Sequence, residues 1–362
     1  MLPDEVLRRI HSELFSLRGS GSSILEVGHR SVLFESILDD ARTRLRQVLE
    51  VPDSHEILFL QGGGRLQFSM IPLNLLRSGG TAAYVVTGAW SKMAHDEAHR
   101  LNGAHVVWSG APEGFRGLPP AELFERQQPA DYLYFTSNET IHGVQFRELP
   151  SPAHSAMPLV CDMSSDFLSR PVRVADYALL FACAQKNAGI AGLTIVVVAR
   201  EQLRGERATL PGYLDYRSHI ESGSMYNTPP TFAIYVLGLM LEWLEQEFGS
   251  LAEVARQSQA KAERVYGVLD RFPEIYAPHA EAAARSRANV TFFFRGSDDA
   301  VRKRRLEAFL GMAAARGMTD LRGHRSLGGV RVSLYNAMPF AAVDRLAETM
   351  TEFAAAESRQ LT

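Results

Sequence analysis

The feature that most limits the folds open to this chain is an alternation. Up to about residue 230, short apolar runs bounded by glycine or polar residues alternate with segments of helical spacing. Runs 56–61 (EILFLQ), 81–88 (TAAYVVTG), 105–110 (HVVWSG), 131–137 (DYLYFTS) and 158–165 (PLVCDMSS) read as strands, as do Leu179 to Cys183 and Leu193 to Val198. Between them, 62–76 reads as a glycine turn entering a helix and 91–102 as a further helix. Strands alternating with helices predict an α/β fold, a mostly parallel sheet with helices on both faces.

After residue 230 the pattern changes. A long helix from Thr231, a second from Leu251 to Phe272, strand 289–296, helix 300–317, strand 330–336 and a final helix predict a smaller α+β layer. The division expected is a large domain over 1–250 and a small one over 251–362, with a substrate cleft between them. An N-terminal helix over 3–17 is expected to pack near the small domain.

The chain has 362 residues, 46% hydrophobic and 22% charged, with a net charge of −3. That balance gives no general pull toward nucleic acid or an anionic membrane, so anion binding has to be local. The N-terminus lacks the apolar core of a signal peptide, and the run TFAIYVLGLMLEWL is too short for a membrane span. Cys161 and Cys183, both in apolar runs, read as buried small residues in a reducing, cytoplasmic setting.

Within YALLFACAQKNAGIAGLTIVVV, Lys186 falls at a strand end close to a core. It is either a solvated lysine in a turn or a partly desolvated amine that can act as a nucleophile. Three other strand ends carry possible partners. Gly62, Gly63 and Gly64 could hold a phosphate on free backbone N–H groups at a helix start, or form an ordinary tight turn. Trp90 could cover a flat ring or simply pack. Asp162 could face a cationic ring nitrogen or begin a turn. Phosphate cradle, aromatic cover, carboxylate and amine together are what pyridoxal phosphate requires. The glycine turn lacks G-x-G-x-x-G spacing, which argues against a dinucleotide.

Through SILEVGHRS, GGGRLQF, SNETIHG, CDMSSDFLSRP, AQKN, GLTIVVV, GSMYNTPPTF, GHRSLGG and VRVSLYNAMP, nearly its whole length, the chain resembles the phosphoserine aminotransferases. These belong to the fold type I pyridoxal-phosphate enzymes, whose large domain carries a mostly parallel sheet of the seven-stranded type. The resemblance implies that Lys186 binds the cofactor aldehyde, Asp162 pairs with the ring nitrogen, Trp90 stacks on the ring and Thr140 bonds near its phenolic oxygen. It assigns Gly64, Arg65 and Gln185 to the cofactor phosphate, and Asn227 and Thr228 to the phosphate of the neighbouring subunit, which makes the active form a homodimer. No metal is implied.

Two His-Arg pairs, His29–Arg30 and His324–Arg325, with Arg331 beyond the second, are either surface charge or a set suited to a small acid with two anionic groups. By the resemblance, the pairs surround a substrate phosphate and Arg331 takes the α-carboxylate. The implied reaction is glutamate plus 3-phosphohydroxypyruvate giving O-phosphoserine and 2-oxoglutarate. A related reading is the same chemistry on 4-phosphohydroxy-L-threonine in vitamin B6 synthesis. A non-catalytic homologue ranks below both, since Lys186 and Asp162 are present. Family members usually carry a short GPA-like lead before MLP, which some use at the substrate site, whereas this sequence starts at Met1-Leu2-Pro3; either the start is truncated or that contact is absent, and turnover or affinity is expected to suffer.

Overall fold

The computed structural model describes residues 1–101, 103–125, 129–152, 155, 157–203 and 209–359; Asn102, the last residue of the helix expected over 91–102, lies outside them. In chain order the large part contains α1 (Asp4–Glu13), α2 (Val32–Val48), β1 (His55–Leu60), α3 (Gly63–Leu75), β2 (Ala82–Val86), α4 (Ala89–His99), β3 (Ala104–Ser109) and β4 (Tyr132–Thr136). It continues with the short β5 (Asn138–Glu139) and β6 (Val144–Gln145), then β7 (Leu159–Asp162), β8 (Leu179–Cys183), β9 (Thr194–Ala199), α5 (Tyr216–Glu221) and α6 (Thr231–Phe248). The C-terminal part comprises α7 (Leu251–Arg271), β10 (Tyr276–Pro278), β11 (Asn289–Phe294), α8 (Asp299–Ala315), β12 (Val330–Ser333) and α9 (Phe340–Ser358).

The principal sheet has seven strands in the order β1-β9-β8-β7-β4-β2-β3. Pairings from β8 through β7, β4 and β2 to β3 are parallel. β9 runs against both β8 and β1. Two reversals restore the direction, so β1 points the same way as β8. The carboxyl ends of β1, β2, β4, β7 and β8 therefore share one edge, where open α/β sheets hold their ligands.

Period-two alternation divides each central strand between two cores. On β8 and β9, Leu180, Ala182, Ile195 and Val197 face the core under α2 and α6, while Leu179, Phe181, Val196 and Val198 face the side covered by α3 and α4. Both faces being covered explains why these strands read as continuous apolar runs. Ser31 starts α2 by accepting from the Phe34 N–H at 3.2 Å. The principal packing partner of α1 is α6 rather than the small sheet, with the Tyr235 hydroxyl donating to Glu13 at 2.8 Å.

The C-terminal sheet is antiparallel, β10-β11-β12, one strand more than the sequence pattern suggests. It has its own core of Val290, Phe292, Val330 and Val332 with Val265, Phe309 and Met350. α7 belongs to both parts: Leu251 and Val254 pack in the large core and Val265 and Leu269 in the small one. Among the described residues, no helix is long and apolar enough to cross a membrane.

Candidate active site

A cavity of about 280 Å³ opens at the carboxyl edge of the sheet, lined by Gly62 to Arg65, Trp90, Thr140, Asp162, Gln185 and Lys186, together with Phe68, Thr136, Asn138, Ser164, Ser165 and Cys183. Five of the seven strands contribute through their carboxyl ends. β1 runs into the glycines, β2 into the turn before Trp90, β4 ends at Thr136, β7 at Asp162 and β8 just before Gln185 and Lys186.

Gly62 has φ 90°, and a side chain there would collide with Leu66 at 2.4 Å, so the tight entry to α3 requires glycine. The first turn of α3, whose N–H groups have no carbonyl partner within the helix, lies on the cavity wall, a setting suited to an anion. Arg65 is exposed beside it, its Nη2 3.2 Å from Met93 Sδ. Gln185 is exposed at the same mouth.

Asp162 is 4% exposed and accepts from the Ser164 N–H at 2.8 Å. Burial raises its pKa, opposed by bonding from Ser164 and by the charge of Lys186. A buried carboxylate of this kind gains from a cationic partner. Lys186 is half-buried, with Nζ 3.4 Å from Thr140 Oγ1 and 5.8 Å from the centre of the Trp90 ring. The indole N–H of Trp90 is buried without a hydrogen-bond partner among the described residues. Between solvated turn and cavity amine, the geometry selects the second. A flat anionic ring with a phosphate arm, a basic nitrogen and an aldehyde fits this donor set.

The substrate-side residues are more scattered. Arg331 lies on β12 opposite Thr291 of β11, whose hydroxyl donates to the Ile141 carbonyl at 3.0 Å, one residue past Thr140. The small sheet is thereby fastened to the cavity wall. His324 Nδ1 lies 2.7 Å from Ser326 Oγ, and Arg325 is exposed. His29 and Arg30 sit on the turn before α2, half-buried and exposed respectively. Asn227 Nδ2 donates to Gln61 Oε1 at 3.0 Å, and Gln61 Nε2 to the Thr228 carbonyl at 3.4 Å. Neither Asn227 nor Thr228 lines the cavity of its own chain.

Sequence reasoning passed over several wall residues. Thr136, Ser164 and Ser165 could have been found as polar residues at strand ends; Asn138 and Glu139 sit in the same SNETIHG block as Thr140. Next to Thr140, His142 is buried against Phe115 and His279, ring centres 4.9 and 5.5 Å away. Burial, then the neighbouring His279 and His324, pushes its pKa down to about 4.

The family model for class-V aminotransferases matches residues 1–346. A phosphoserine aminotransferase of Laribacter hongkongensis is 46% identical over 357 residues, covering 98% of this chain and 96% of that protein. The chain belongs to the phosphoserine aminotransferase family. Solved structures of this family superpose closely. The enzyme from Bacillus circulans subsp. alkalophilus does so with a TM-score of 0.93 at 36% identity, over 99% of this chain and 96% of its own. The PLP-bound phosphoserine aminotransferase of Trichomonas vaginalis gives 0.85 at 37% identity, over 97% of each chain.

Proposed function

We propose that the chain is a pyridoxal-phosphate-dependent phosphoserine aminotransferase of serine biosynthesis, moving the amino group between glutamate and 3-phosphohydroxypyruvate to give O-phosphoserine and 2-oxoglutarate. The observation that carries the reading is the Lys186 amine held between Thr140 Oγ1 and the Trp90 ring, in one cavity with buried Asp162 and the glycine start of α3. When bound, pyridoxal phosphate supplies a sink for the electron pair left at the substrate Cα.

The chain's own residues do the rest. Gly64, Arg65 and Gln185, with the N-terminus of α3, hold the phosphate. Asp162 stays ionised against the ring nitrogen and keeps that nitrogen protonated. Trp90 covers one ring face, and Thr140 donates at the phenolic oxygen. Lys186 Nζ takes the proton from the Cα of the amino donor and, in the other half of the exchange, gives one to the Cα of the oxo-acid acceptor, as a positioned general base and acid.

Arg331 takes the α-carboxylate. His29, Arg30, His324 and Arg325 surround the substrate phosphate and, in the other half of the exchange, the γ-carboxylate of glutamate. Asn227 and Thr228 complete the phosphate site of a second copy, so the active form is a homodimer. The cavity belongs to a large domain over 1–250, and the substrate side is completed by a small domain over 251–362. A cytoplasmic location is supported by the two buried, unpaired thiols, Cys161 and Cys183.

The test is a near-ultraviolet and visible spectrum of the holoenzyme before and after O-phosphoserine, beside Lys186→Ala. A cofactor band that O-phosphoserine bleaches in the native protein and not in the variant is expected. Protein that takes up no pyridoxal phosphate would overturn the reading. A bound cofactor that responds to 4-phosphohydroxy-L-threonine alone would redirect the substrate assignment to vitamin B6 synthesis.

A further inference from the structure

We infer that Glu139 is a positioning residue of the cofactor site, holding the first turn of α4 so that the Trp90 ring stands over the Lys186 amine. Its side chain is fully buried. Oε2 accepts from the Trp90 N–H at 3.0 Å, and Oε1 accepts from the Ser91 N–H at 2.8 Å and the Ser91 hydroxyl at 2.6 Å. Ser91 Oγ in turn accepts from the N–H groups of Thr87 at 2.9 Å and Gly88 at 3.1 Å. One carboxylate thus fastens the whole bend from β2 into α4.

Packing needs do not explain an acid there. Burying a carboxylate is unfavourable unless donors or a cation answer it, and its donors here are the α4 N-terminal groups that aim Trp90. Burial raises the Glu139 pKa, and bonding from Ser91 and Trp90 opposes that. The backbone also makes room for the acid: a Cβ on Gly88 would lie 2.5 Å from Glu139 Cδ. Glu139 is followed in the chain by Thr140, the other neighbour of Lys186 Nζ. A single residue therefore ties both flanks of the amine, one by hydrogen bonds and one by the peptide bond.

The inference rests on the reading of Trp90 as the ring cover, and the experiment separates the two. The dissociation constant of pyridoxal phosphate is measured by equilibrium dialysis on cofactor-stripped native protein, Trp90→Phe, Glu139→Gln and the double variant, with thermal melts as a folding control. An amide cannot accept at both ends, so E139Q sets an N–H against a backbone N–H. It should weaken cofactor binding about tenfold. Because it acts through Trp90, adding it to W90F should change the constant less than about twofold. Gly88→Ala, which keeps the acid in the chain but pushes its side chain aside, should weaken binding in the same direction even if E139Q folds poorly. W90F weakening the cofactor while E139Q and G88A leave it unchanged would overturn the role of Glu139 alone, as would effects of E139Q and W90F that simply add. A W90F protein with native affinity would overturn the ring-cover reading and this inference with it.

Discussion

Asp162 and Arg325 are both assigned to hold charge against a ligand, and they are built in opposite ways. Asp162 is 4% exposed at a strand end, fixed by the Ser164 N–H and already biased by burial toward its proton. Arg325 and Arg30 are exposed, and no carboxylate pairs with either, or with Arg331, among the described residues. Elsewhere on the surface arginines are commonly paired, as Arg322 is with Glu307 at 2.6 Å. In the proposed reading, the group that keeps its ligand through many turnovers is desolvated and bonded from behind, and the groups that bind and release a substrate remain hydrated, so that release does not strand a buried charge.

The contrast is broken most severely at the amine. Lys186→Ala should lower transamination by about 10⁴-fold, the loss of a nucleophile and a proton carrier together, measured as steady-state kcat on protein with a native melting curve. Asp162→Asn keeps the shape and removes the charge, and should lower kcat by about 10²- to 10³-fold while KM for O-phosphoserine changes little. A D162N enzyme altered only in KM would erase the distinction between wall and rim.

On the rim the expected pattern reverses. Arg331→Ala should raise KM for O-phosphoserine about 10- to 100-fold, the worth of a charge-assisted contact, with stability within about 0.5 kcal/mol of native. A melting point that falls with the loss of Arg331 would place it in the framework instead.

The last effect concerns pH, and acts on stability rather than on turnover. His142 has a folded pKa of about 4 against an ordinary 6.5. Between those values the unfolded chain binds a proton that the folded chain does not, so stability is full above about pH 6.5 and is lost as pH falls toward 4. The loss amounts to about 3 kcal/mol at most. His142→Gln should flatten that part of the pH–stability curve in urea titrations; an unchanged slope would show that His142 does not carry it.

Much of the large sheet was legible because β8 and β9 are apolar on both faces and end in glycine or polar residues. The ends of β1, β2, β7 and β8 disclosed Gly64, Trp90, Asp162 and Lys186 in turn. What stayed hidden depends on contacts across the chain. Glu139 meets Trp90 from 49 residues away, and no local pattern announces that pairing. The direction of β9 and the short β10 follow from pairing rather than composition, and α2 is not among the segments the pattern singles out. β12, which carries Arg331, is tied to the cavity wall through its pairing with β11, whose Thr291 donates to the Ile141 carbonyl and whose Asn289 accepts from Asn138.

The strand order also fixes a length. The glycine turn leaves β1 and Lys186 follows β8, with only β9 between them. Neighbouring strands stand about 4.8 Å apart, so the two origins are about 10 Å from each other across the sheet. One further spacing carries the span to Asp162 on β7. The sheet therefore acts as a ruler graduated in strands: inserting one between β1 and β8 would shift the anion cradle by about 5 Å relative to the amine. No movement of side chains alone would restore that register.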